Sequence, residues 1–189
     1  MFIDYQNVHL SAHDQFARFS DPVHQSLIQP ARFADVVLAA RRARNFDDVD
    51  LTEIHVFRGQ PSRRHEGDQH SRVQRQASQW TRDRRVKMHL RTLRYPRDWP
   101  TSRAQEKGVD VELAIEVVRA AITSTADVII VATRDTDVLP ALALVQTSTA
   151  STVELVNWHG QSELKLEPQP RAILLKEAEY RRCRDPLSY

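Results

Sequence analysis

The apolar positions of the chain follow two rhythms, and polar residues gather where one gives way to the other. Val128 to Ala132 (VIIVA) is an unbroken, mostly β-branched run, the pattern of a strand covered on both faces. It stops at Thr133-Arg134-Asp135-Thr136-Asp137, and beyond this Val138, Leu139, Ala141, Leu142 and Val145 recur at helical spacing, with Pro140 acceptable in a first turn. Two carboxylates thus sit where a buried strand hands over to a helix. In open α/β sheets, ligands bind outside the carboxyl ends of strands. One Asp suffices to cap a helix, which leaves the second without a local role.

The same rhythms predict the other elements. Met1 to Ile3 reads as a short first strand running straight into Asp4-Tyr5-Gln6-Asn7; an aspartate at the top of a central strand needs a partner for its charge. Ala31 to Phe46 predicts a helix with Phe33, Val36, Val37, Ala40 and Ala43 on one side. Thr52 to Arg58 alternates with period two and predicts the second strand, ended by Gly59-Gln60-Pro61-Ser62. Between Arg63 and Arg85 the apolar residues are Val73, Ala77 and Trp80, a thin stripe that predicts a surface helix. Val86 to Tyr95 returns to strand chemistry, followed by a loop through Pro96, Trp99 and Pro100.

Lys107-Gly108-Val109-Asp110 then leads into a helix. At about 100° per residue, Leu113, Ala114, Val117 and Ala121 lie within about 60° of Asp110, whereas Glu112, Glu116 and Arg119 lie opposite. Asp110 is therefore the one charge on the core-facing stripe, in a first turn whose dipole favours a carboxylate. Ser151 to Trp158 is a further strand. Beyond Gly160 the pattern weakens, and Ile173 to Arg182 predicts a short helix or strand before a frayed tail.

At 189 residues and 41% hydrophobic, the chain has material for one domain with a real core. No apolar run approaches the roughly 20 residues of a membrane span. The start, MFIDYQNVH, lacks a basic segment followed by an apolar one, so a cytoplasmic protein without a signal peptide is expected. Cys183 is the single cysteine, which excludes an internal disulfide and any multi-thiolate zinc site. Gly59, Gly67, Gly108 and Gly160 are too scattered for a Walker loop or a dinucleotide fingerprint. His9 and His13 have helical spacing, but nothing nearby completes a metal site, and both are expected to be solvent-exposed.

The net charge of +2 hides an asymmetry. Arg63, Arg64, Arg72, Arg75, Arg82, Arg84, Arg85, Lys87, Arg91, Arg94, Arg97 and Arg103 dominate the middle, whereas Asp110, Glu112, Glu116, Asp127, Asp135 and Asp137 dominate the stretch from Asp110 to Asp137. A basic half beside an acidic cluster suits a metal-dependent enzyme acting on a polyanion. Acids from three places, Asp4, Asp110 and the Asp135/Asp137 pair, reach the rim of one inferred sheet. Packed together they persist only with a cation or raised pKa values. Oxygen-only donors point to Mg²⁺ or Mn²⁺.

Asp4-Tyr5-Gln6-Asn7 (D-x-x-N), Lys107 to Val111 (KGVDV) and Thr133-Arg134-Asp135-Thr136-Asp137 with Pro140 resemble the three signatures of the NYN family, a branch of the PIN-like ribonucleases. The resemblance runs from Phe2 to about Trp158. It implies a three-layer α/β PIN-like (Rossmannoid) fold with a mostly parallel central sheet, a nuclease domain over residues 1–160, and a C-terminal extension over 161–189 packed on or trailing from it. It also implies endonucleolytic hydrolysis of RNA by a metal-activated water. The family's catalytic and metal-binding acids map onto Asp4, Asp110, Asp135 and Asp137, with Asn7 and Thr133 as supporting polar groups. The family usually carries a small residue where Arg134 stands, so Arg134 either contacts phosphate or pairs with an acid.

On this reading Lys107, Arg134, Arg63 and Arg64 hold the backbone of a single-stranded RNA, and a second copy of the chain is a candidate partner. A haloacid-dehalogenase phosphatase would need an Asp where Gln6 stands, and a glycosyltransferase D-x-D would leave Asp4 and Asp110 unexplained. The rival of a different class is a catalytically weak PIN-like module that binds RNA or a regulatory partner.

Overall fold

The computed structural model describes residues 1–18, 20–187 and 189. Its centre is a six-stranded sheet in the order β3-β2-β1-β4-β5-β6, formed by β1 (Phe2–Asp4), β2 (Ile54–Gln60), β3 (Val86–Thr92), β4 (Val128–Ala132), β5 (Thr152–Trp158) and β6 (Arg171–Leu175). Every neighbouring pair is parallel, so the sheet is wholly rather than mostly parallel. The α/β reading holds, and all strand carboxyl ends share one rim.

Parallel strands require crossovers, and these supply the outer layers. On one face lie α1 (Tyr5–Phe16), α2 (Pro30–Arg42), α3 (Gly67–Trp80) and α6 (Glu177–Cys183); α4 (Val109–Ile122) and α5 (Leu139–Ser148) cover the other. The apolar stripes decide these faces. Phe33, Val36 and Val37 of α2 pack with Ile3, Ile54 and Val56. Leu113, Val117 and Ala121 of α4 pack with Phe2, Phe57, Ile129 and Val131. Successive residues of β1 and β4 thus serve opposite cores, as strands covered on both faces must.

Pro30 and Pro140 each stand in a first helical turn, where the missing N–H has no partner to lose. The second helix ends at Arg42, short of Phe46, and the second strand runs on through Gly59 and Gln60. Residues 161–189 add β6 as an edge strand beside β5 and set α6 against α2. Among the described residues, no helix is long and apolar enough to cross a membrane.

Candidate metal centre

The sheet order reverses between β1 and β4, and the crevice outside their carboxyl ends is where an open α/β sheet receives ligands. Asp4 ends β1, and Asp135 follows β4 by three residues. Their neighbours bind the two strand ends to each other. Asp4 accepts the Asn7 N–H at 3.2 Å and the Thr133 hydroxyl at 2.9 Å. Thr133 Oγ1 also accepts the Asp135 N–H at 3.1 Å, and the Asn7 side-chain oxygen accepts the Arg134 N–H at 3.2 Å.

Capping accounts for part of the aspartate set. Asp4 caps α1, and Asp135 accepts the Asp137 N–H at 2.9 Å to cap a short 3-10 turn over Thr136–Val138. Asp110 and Asp137 have no such duty. Asp110 enters in the first turn of α4, behind Gly108, whose φ of 75° is a left-handed conformation that glycine adopts without strain.

One oxygen from each of Asp110, Asp135 and Asp137 lies within 4.8 Å of the others. Asp4 stands outside this triple but close enough that Asp135 and Asp110 add to the upward shift of its pKa, which burial chiefly causes. Among the described residues, no Lys, Arg or His side chain lies within ion-pair distance of any of the four acids. An all-carboxylate set with no protein cation beside it fits a hard divalent ion better than it fits solvent alone.

Arg134 does not form the ion pair that one reading of it allowed; its Nη1 donates to Ser11 Oγ of α1 at 3.1 Å. Lys107, Arg63 and Arg64 are exposed, the arginines just past the end of β2 on the same rim as the acids. Glu112, on the solvent side of α4, faces His89 and Arg91. His9 is a correction to the expectation of exposure. It is 7% exposed, and its Nε2 donates to Val23 O at 3.1 Å beside Ser26 Oγ, which also meets His13.

Sequence reasoning missed Glu106. It accepts the Gly59 N–H at 2.5 Å, and the Gln6 amide, oriented to donate, faces both its oxygens at 2.7 Å. Burial raises its pKa, with Asp4 and Asp110 contributing. Its one signal was an acid just ahead of the glycine turn that starts α4, a position with no periodicity to mark it.

Comparison with known proteins finds no match among curated proteins and none among solved structures. A family model does match: that of the NYN domain, over residues 1–169. The match includes both halves of the crevice, Asp4 with Asn7 on one side and Asp110, Asp135 and Asp137 on the other, and on that extent the chain belongs to the NYN domain family of PIN-like nucleases.

Proposed function

We propose that the chain is a divalent-metal-dependent endoribonuclease in which Asp4, Asp110, Asp135 and Asp137 hold one or two Mg²⁺ or Mn²⁺ ions. The observation that carries this reading is the meeting of three carboxylates, one oxygen of each within 4.8 Å of the others, with no protein cation in ion-pair contact among the described residues. Their repulsion calls for a positive charge from outside. When bound, such an ion supplies a water of lowered pKa and offsets charge developing on a phosphodiester.

The chain's own residues prepare the site. The Thr133 hydroxyl and the Asn7 N–H fix the direction in which Asp4 faces. The turn capped by Asp135 presents Asp137 beside Asp110. Exposed Lys107, Arg63 and Arg64 place positive charge for an RNA backbone around the rim.

The test is incubation with single-stranded RNA and Mn²⁺, comparing the parent with Asp135→Asn and with added EDTA. Asn keeps a side-chain oxygen for the cap and removes the charge. Cleavage is expected to stop in both cases; cleavage that survives both refutes the metal mechanism. Arg134, in a place the family gives to a small residue, favours one second reading: an RNA-binding module with weak cleavage. Tight binding without cleavage by the parent would establish that alternative.

A further inference from the structure

A groove of about 500 Å³ opens between α1 and α3, and Gln6, Gly59 and Glu106 form the end of it nearest the carboxylates. Among the described residues, two arginines in its wall have no ion-pair partner, although Glu106 at the groove's end attracts Arg58 from farther off. Arg58, from β2, donates from Nη1 to Gln76 Oε1 at 2.8 Å and lies over the rings of Tyr5 and Trp80, 4.8 and 5.9 Å from their centroids. Among the described residues, no carboxylate is within ion-pair distance of it. Burial lowers its pKa, working against the charge it carries. Arg72, from α3, has a buried Nε with no hydrogen-bond partner.

A half-buried guanidinium with no anion in contact with it is costly. Stacking on aromatic faces recovers part of that cost, and the fork faces the groove, where a ligand can reach it. The planar fork matches phosphate in shape and charge. Glu106, at the groove's end, is close enough to feel the charges of Asp4 and Asp110, so an RNA strand with its scissile linkage at the carboxylates would meet this groove with its next residue.

We propose that Arg58 and Arg72 hold the phosphate of the nucleotide next to the one being cut. This rests on the endoribonuclease reading, and its test separates the two. The parent is the Asp135→Asn protein in EDTA, which is expected to bind without cutting, and the probe is fluorescein-labelled decauridylate read by anisotropy. Arg72→Gln is expected to raise Kd about tenfold, as for loss of one charge-assisted contact, and to reduce the slope of log affinity against log salt by about 0.7. Arg58→Lys keeps the charge but loses the fork, so a smaller rise in Kd with an unchanged slope is expected.

Uridylyl-uridine has only the scissile linkage, and its affinity is expected to be the same in both variants and the parent; a merely structural role would weaken both probes together. Arg72 is half-exposed with an unpartnered Nε, so Arg72→Gln remains a folded test if Arg58→Lys fails to fold. Decauridylate affinity and salt slope equal to the parent's in Arg72→Gln overturn the proposal while leaving the nuclease reading intact. A parent that binds no decauridylate also overturns the proposal, while cleavage by the unsubstituted protein in Mn²⁺ decides the nuclease reading separately.

Discussion

Asp137→Asn should make the metal-free protein more stable and less responsive to metal. The side chain of Asp137 is exposed, and it has one carboxylate on either side, Asp110 and Asp135, with oxygens within 4.8 Å. At that separation two unit charges in a water-like dielectric repel by about 1 kcal/mol. Because Asp137 is exposed, the water-like value is the appropriate one, and two such pairs give about 2 kcal/mol. For a chain of this length, each kcal/mol moves the melting temperature by about 2–4 °C. The variant in EDTA is therefore expected to melt about 4–8 °C above the parent.

Mn²⁺ at about 100 times its Kd would stabilise the parent by about 2.7 kcal/mol, and the variant, short of one ligand, should lose most of that gain. Far-UV circular dichroism melts at low ionic strength, where screening is weakest, give both numbers from one sample set. A variant that melts at or below the parent in EDTA and rises equally with Mn²⁺ would show that these carboxylates neither repel nor share an ion.

Other expectations concern the scaffold that carries the site. Burial holds the pKa of His9 at about 4 against its ordinary 6.5, so the folded state stays neutral while the unfolded chain takes up a proton. Stability is then full above pH 6.5 and is lost as pH falls toward 4. Lowering to about 4 amounts to about 3 kcal/mol. Urea unfolding between pH 7.5 and 4.5 should show a shallower pH dependence in His9→Gln than in the parent, and equal slopes would contradict the assignment. His55, also lowered by burial, acts in the same direction in both proteins and cancels in the comparison.

Arg41 and Glu154 form a two-bond ion pair at 2.7 and 2.8 Å with side chains 2% exposed. Glu154→Leu should cost about 3–5 kcal/mol by stranding the guanidinium, and adding Arg41→Met should restore most of it; denaturant midpoints of the single and double variants decide the matter. Gly108→Ala puts a Cβ at φ 75° and 3.4 Å from the Arg91 guanidinium. A loss of about 1 kcal/mol is expected, together with a weaker Mn²⁺-induced melting shift because Asp110 begins the same helix. An unchanged Mn²⁺ shift would show that the turn does not aim Asp110.

The sequence alone determined most of the strands and the helices with a clear apolar stripe, though not α1 or the elements of the tail. VIIVA suited a strand covered on both faces, and Asp110 could be placed on the apolar stripe of α4, because run length and residue period are local properties that a short window reports. It also placed an aspartate at the end of each central strand. What it could not decide was which ends meet. Asp4 and Thr133, 129 positions apart, are joined at 2.9 Å because the sheet order puts β1 beside β4, a choice made by closing the whole core.

Long-range closure likewise buried Glu154 on Arg41 across 113 positions, covered His9, and recruited RAILL as an edge strand from a weakly patterned tail. Glu106 and Arg58 belong with these cases. A charged side chain takes its character from what surrounds it, and those surroundings are assembled by packing between elements far apart in the chain.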